Sequence, residues 1–380
     1  MSSFDETEII HLLALHNIEG IGPIVARNLI AYCGSSAAVF NKKKSELEKI
    51  PSIGPKLAAL ITCNRDLAES EKEFRELQKY DIRAFPYFSQ AYPNLLKNIP
   101  DAPLLLFQKG PLDLNTCPAI AIIGTRKSTD YGKKQTYFLA EYFSGLGFNI
   151  VSGLAYGIDA FAHTTTLKTG GITTAVLAHG FNYLYPAMHK NLAEQILEKG
   201  ALITEYSIYK KPHPTLFPER NRIIAGLCLV TIVVEATSTG GALITAKLAN
   251  DYNRDVYAVP GNLGVKTSEG CNLLIKKNLA RILINPQEII EDLEANGLFQ
   301  FNAPKTTLAA PAQSLDLDLS VLSPEEQKIY QFLKAEGDTH IDVLHETLEL
   351  PMPALSTALL NLEFLEIIES LPGKKYKIVR

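Results

Sequence analysis

The 380-residue chain has no tryptophan, only three methionines and five cysteines, and no long uninterrupted apolar run. Each scarcity excludes something. The cysteines (Cys33, Cys63, Cys117, Cys228 and Cys271) are odd in number, scattered and never spaced as a CxxC pair. That argues against a disulfide framework and against a zinc site, and it points to a reducing compartment, the cytosol. No stretch approaches the roughly 18 apolar residues that a bilayer span needs, so no membrane partner is expected. The opening MSSFDETEII is acidic and has neither the basic start nor the apolar centre of a secretory signal. Nucleotide signatures are missing as well. In SGLAYGID (152–159) the glycines fall at Gly153 and Gly157, which is not GxGxxG, and Gly132-Lys133-Lys134 has neither the spacing nor the hydroxyl of a Walker loop. No dinucleotide, ATP or metal cofactor is therefore expected.

The net charge of −4 would by itself speak against a nucleic-acid partner. Its distribution says otherwise. Residues 115–290 carry 17 Lys and Arg against 12 Asp and Glu, whereas residues 322–380 carry 6 against 10. Only the centre is electropositive.

The chain length suggests two or three domains. Residues 1–80 read as short helices. NIEGIGPIVARNLI (17–30) and KIPSIGPKLAALI (49–61) share one design, in which a Gly-containing turn and a proline lead into an apolar-periodic helix. The pair looks like tandem helix-hairpin-helix units, whose turns can offer N–H groups to a phosphate, or else like a small helical packing module. Residues 81–296 open with a Pro-rich stretch in which LLLF is a plausible strand. Strands then follow at 119–124, 149–152, 173–178, 201–204, 229–236 and 256–260, alternating with helical patterns near 131–146, 158–168, 189–198, 219–227 and 241–251. Such alternation predicts a Rossmann-like, doubly wound, mostly parallel sheet covered on both faces. Residues 297–322 lose periodicity and read as a linker. At Ser323-Pro324-Glu325-Glu326 a capping box opens three helical patterns and a hairpin, the outline of a winged helix over 323–380.

In an open α/β sheet, ligands bind beyond the carboxyl ends of the strands, so the loops after each strand carry the functional argument. The first is Gly124-Thr125-Arg126-Lys127-Ser128-Thr129-Asp130: a glycine for close approach, a fork of donors, and hydroxyls that cap the next helix. The fourth is YSIYKKPHPTLFPERNRIIAGL (206–227), where Lys210, Lys211, His213, Arg220 and Arg222 interleave with Tyr209 and Phe217. Cations for phosphates and aromatic faces for bases are what a sequence-tolerant groove for single-stranded DNA requires. After the third strand, His179 has no nucleophile motif beside it, so catalysis there is not expected. After the fifth, Glu235 precedes a Gly-Gly turn able to form an anion nest, and is the best candidate acid or base.

Taken in order, GTR, SGLAYGID, YP, FPERNRIIAGL, VVEA-STGGALITA, VPG and SEGCNLLI resemble the DprA/Smf family (DNA-processing protein A) over roughly residues 100–285. The resemblance implies a helical N-terminal part, a winged-helix tail, and a homodimer formed through the Rossmann-like domain. It further implies a non-enzymatic protein of natural transformation that protects incoming single-stranded DNA and helps to load a RecA-type recombinase. The family's basic pocket carries over onto Gly124, Thr125 and Arg126 and onto Arg220, Asn221 and Arg222; Lys210, Lys211 and Phe217 join it on the argument from residue types. Thr125 stands where serine is common, and the turn at 238–241 reads STGG rather than a Lys-Ser-Gly-Ser type. The competing expectation is a Rossmann-like nucleotide hydrolase resembling the phosphoribohydrolases, motivated by Glu235 and Gly240-Gly241, although STGGAL lacks the flanking residues of their PGGxGT turn. The tail is net −4 and PALSTALLNLEFL (353–365) contains no Lys or Arg, so a protein-interaction or self-association role is expected of it rather than duplex binding. The decisive expectation is geometric: Arg126 and Arg222 should open onto one cleft.

Overall fold

A computed structural model describes residues 6–298, 322–348, 350–364, 367–371 and 373–378. The chain divides into two compact units, residues 1–300 and 301–380. Nearly all of the expected linker at 297–322 lies outside the described residues.

The first unit begins with six helices, α1 (Glu6–His16), α2 (Pro23–Cys33), α3 (Ser36–Asn41), α4 (Lys44–Leu47), α5 (Pro55–Cys63) and α6 (Ala68–Lys79). The turns into α2 and α5 repeat each other. Gly20 and Ser52 have positive φ (86° and 70°), and the amides of Ile21 and Ile53 donate to the carbonyls of Ile18 and Ile50, each at 3.1 Å. Gly22 and Gly54 then serve as N-caps ahead of Pro23 and Pro55, where a missing donor costs nothing. The expected boundary near residue 80 is not a break in packing. Leu12, Leu13, Leu29, Ile61 and Leu77 share one core with Leu105, Phe107 and Ile208. Buried Glu73 ties the two parts further, accepting from the Asn17 side chain at 2.8 Å and from the Ile208 amide at 3.1 Å.

The rest of the unit is β1 (Arg83–Pro86), α7 (Asn94–Lys97), β2 (Leu105–Lys109), β3 (Ala119–Ile123), α8 (Asp130–Gly145), β4 (Asn149–Ser152), α9 (Ile158–Lys168), β5 (Thr173–Val176), α10 (Lys190–Lys199), β6 (Ala201–Thr204), α11 (Leu216–Leu227), β7 (Val230–Val233), α12 (Gly241–Asp251), β8 (Asp255–Ala258), α13 (Lys266–Lys276), β9 (Arg281–Ile282) and α14 (Gln287–Ala295). Nine strands form one sheet in the order β1-β2-β6-β5-β4-β3-β7-β8-β9. From β6 to β9 every pairing is parallel; β2 joins β6, and β1 joins β2, antiparallel. β3 to β7 are buried along their whole length, as strands covered on both faces must be. The chain winds outward from β3 in one direction as far as β6, then returns to place β7 on the other side of β3. The order reverses there, and the crevice of a doubly wound sheet opens at that point.

The second unit is α15 (Pro324–Glu336), β10 (Thr339–His340), α16 (Ile341–Leu348), α17 (Met352–Phe364), β11 (Ile368–Leu371) and β12 (Lys375–Ile378). Ser323 and Glu326 make the expected capping box, and β10-β12-β11 is the antiparallel wing. Ile329, Leu333, Leu344, Leu355, Leu359 and Leu362 form its core. The fold is thus the Rossmann-like α/β sheet with helical N-terminal and winged-helix C-terminal parts that the sequence led us to expect.

Candidate nucleic-acid interface

The crevice at the switch point is a cleft of about 520 Å³ bounded by the ends of β3, β4 and β7 and by α11 and α12. Its floor is held by mutual hydrogen bonding of the loops. The Thr125 amide donates to the Glu235 carbonyl at 2.7 Å, and its carbonyl accepts from the Ile158 amide at 3.2 Å. Gly157 has φ +76°, and a Cβ there would lie 2.3 Å from the Thr125 oxygen, so only glycine lets the two loops meet. At Gly124 a Cβ would come within 2.6 Å of Ile158.

Glu235 is buried and its carboxylate caps a helix. It accepts from the Thr129 amide (2.9 Å), the Thr129 hydroxyl (2.6 Å) and the Thr267 hydroxyl (3.1 Å), while Thr129 in turn caps α8 by accepting from the Gly132 amide at 3.2 Å. A carboxylate engaged by three donors orders the rim of the cleft, a structural role beside the acid or base role that the sequence suggested. His179 is likewise committed, donating from Nδ1 to the Gly180 carbonyl at 3.0 Å and accepting at Nε2 from the Tyr185 amide at 3.2 Å.

α11 decides which cations reach the cleft. Phe217, Arg220, Asn221 and Ile224 face it, at the i, i+3, i+4, i+7 spacing of one helical stripe. Arg220 is buried beneath the floor. Its Nη1 donates to the Gly153 carbonyl at 2.8 Å and to the Val176 carbonyl, and a Cβ at Gly153 would strike its guanidinium. Burial lowers its pKa to about 10, opposed by Asp159, whose own carboxyl is pushed upward by burial and restrained by Arg220. Arg220 therefore fastens the ends of β4 and β5 and lends positive potential from below. Asn221 sits at the wall, its side-chain amide 3.5 Å from the Gly241 carbonyl.

Arg222 does not share the cleft with Arg126, contrary to expectation. Two residues beyond Arg220 the helix has turned by roughly 200°, onto the opposite face. There Arg222 pairs with Glu205 and donates to the Asp101 carbonyl at 2.6 Å. Burial raises the Glu205 carboxyl to about 7 in spite of that partner. Lys210 and Lys211 are exposed on the loop before α11 and do not line the cleft.

Arg126 is exposed at the mouth, its guanidinium carbon 5.4 Å from the centroid of the Phe217 ring. Phe217 in turn meets Tyr185 edge to face, with centroids 5.6 Å apart. The cleft thus joins an exposed cation, an aromatic face and the N-terminus of α12 at Gly241, where the helix dipole favours an anion. Tyr185 and its neighbour across the rim, Tyr156, lie in the YP and SGLAYGID stretches but were not singled out as site residues from the sequence. Each sits in a Gly- or Pro-marked loop, Tyr185 two residues after Tyr183, and nothing in the local pattern says where it points.

This architecture has known relatives. The family model described as DNA recombination-mediator protein A matches residues 83–294, and that of the DprA winged helix domain matches 307–374. The chain belongs to the DprA/Smf family. It is 32% identical to Protein Smf of Synechocystis over 98% of this chain and 99% of the relative. With the DNA processing protein DprA of Streptococcus pneumoniae it shares 38% identity, over 60% of this chain and 79% of the relative. The solved structure of the S. pneumoniae DprA covers 74% of this chain and 96% of its own at 32% identity, with a TM-score of 0.64. That of Helicobacter pylori DprA, described for its single-stranded DNA binding mode, covers 57% and 97% at 28% identity, with a TM-score of 0.52. Family membership makes the chain a DNA-processing recombination mediator. No helix among the described residues is long and apolar enough to cross a membrane, and no group of His, Cys, Asp and Glu among them could hold a metal ion.

Proposed function

We propose that this protein binds single-stranded DNA in the switch-point cleft and presents it to a RecA-type recombinase in natural transformation, protecting the strand meanwhile, without catalysing a covalent step. The observation that carries the reading is the Arg126 guanidinium over the face of Phe217, exposed at the mouth of a cleft in the only electropositive portion of the chain. Arg126 meets a phosphate, Phe217 offers its face to a base, and the α12 N-terminus at Gly241 receives a second phosphate. Gly124 and Thr125 shape the floor, Asn221 the wall, and Arg220 the potential; Lys210 and Lys211 attract the strand from outside the cleft. Arg222 has a structural role in this scheme. The likeness to H. pylori DprA supports the choice of ligand. We further propose a cytoplasmic homodimer formed through the sheet unit, as in the family, and a protein-binding winged helix, since MPALSTALLNLEF of α17 offers no cation to a duplex.

The test is equilibrium binding of the full chain to dT20 and to a 20-base-pair duplex between 50 and 300 mM salt. Tighter binding of the single strand, weakening steeply with salt, is expected. Equal or tighter binding of the duplex overturns the reading.

A further inference from the structure

Phe217 is the start of a longer aromatic row. Tyr185 (42% exposed) and Tyr156 (39% exposed) line one narrow recess together with Arg126, Gly153 and Phe217. A lone exposed tyrosine is ordinary. Two of them, lining one recess with a cation-capped phenylalanine and exposed among the described residues, call for a ligand with flat faces. Each is also held in position. His179 accepts the Tyr185 amide at Nε2, an arrangement that needs the neutral ring, and burial keeps its pKa below the usual histidine value. His189 donates from Nδ1 to the Leu154 carbonyl at 2.8 Å and sets its ring 5.3 Å from that of Tyr156.

We infer that Tyr185 and Tyr156 extend the Phe217 platform into a three-base stacking track, and that the tilt of the track selects unstacked, pyrimidine-rich single strands. The inference rests on the single-strand reading above. The Phe217 and Tyr185 planes are inclined by 63°. Neighbouring bases lying flat on both rings cannot stay parallel, so they lose their stacking on each other at that step. Thymine tracts surrender little by unstacking and adenine tracts a good deal, so the track discriminates through the strand's own stiffness rather than through hydrogen bonds. A duplex, whose bases are locked in register, cannot follow the turn at all.

The experiment uses the full chain with dT12 and dA12, and dT12 carrying a single 2-aminopurine at successive positions. Wild type is expected to prefer dT12 and to change the 2-aminopurine emission at about three adjacent positions. Tyr185→Leu and Tyr156→Leu should each weaken dT12 by about tenfold and narrow the preference over dA12, with Tyr185→Phe restoring both. Arg126→Ala serves as the control for the cleft itself. Should Arg126→Ala weaken binding while both leucine variants, folded by circular dichroism, bind dT12 and dA12 as wild type does, the track is refuted and the cleft stands. Should none of the variants weaken binding, both fall.

Discussion

The contact between Arg126 and Phe217 can be taken apart quantitatively. Phe217→Ala removes a base platform worth about 1–3 kcal/mol, which is roughly 5- to 150-fold in affinity. Arg126→Ala removes one phosphate contact and should reduce the salt slope by about 0.7 on a single strand. The guanidinium is exposed and lies 5.4 Å from the ring centroid, so the two residues should be coupled by roughly 0.5–1 kcal/mol, and the double variant should lose less than the sum of the single ones. Arg222→Ala provides the contrast, because its donors are engaged by Glu205 and Asp101 behind α11; its salt slope should match wild type. The measurement is fluorescence anisotropy of labelled dT20 from 50 to 400 mM salt. A flattened slope in Arg222→Ala with an unchanged slope in Arg126→Ala would refute the assignment of the strand to this side of the helix.

Arg222→Ala should instead act on stability. Losing the hydrogen bond to Asp101 should cost about 2 kcal/mol at pH 6, with roughly 1 kcal/mol more at pH 8. Above about 7 the wild-type Glu205 is ionised against Arg222, whereas in the variant it must hold its proton; urea melts with equal stability at both pH values would exclude this account. His163 should make the protein acid-sensitive. Buried, with Nδ1 2.6 Å from the Thr173 hydroxyl, its pKa falls to about 3, so between the ordinary 6.5 and that value the unfolded chain binds the extra proton and stability drops as the pH drops. At pH 5 the share of the loss due to His163 is about 2 kcal/mol, beside that of His16, whose pKa desolvation lowers to about 4, so His163→Asn should be less acid-sensitive than wild type by about that amount; an unchanged acid dependence in that variant would show that the proton goes elsewhere.

Much of this was legible in the residues. The alternation of short β-branched strands with amphipathic helices gave six of the parallel strands close to their observed ends, because strands buried on both faces read as short, mainly apolar and β-branched runs without a solvent-facing alternation. β1 and β9 were missed: a four-residue edge strand and a two-residue one leave no period to read. The cleft was legible in its position, and in Gly124, Arg126, Phe217 and Asn221. The phase of α11 was not. Arg220 and Arg222 look equivalent in FPERNR, and what separates them is Asp101 and Glu205, one more than a hundred residues away and the other on the end of the neighbouring β6. Glu235 misled for the opposite reason, since a carboxylate after a strand suggests chemistry until Thr129 and Thr267 are seen to engage it.

The interior shared by the N-terminal helices and the sheet bears on how such proteins can be rearranged. Leu105, Phe107 and Ile208 are fully buried partly by side chains contributed from the first eighty positions. Cutting the chain at residue 80 would leave those three facing water and strand the amide of Ile208 without Glu73. A version begun at the first strand should need polar replacements at these positions to stay dispersed. A head borrowed from a relative should be accepted only if its helices bring matching knobs for the same three sockets.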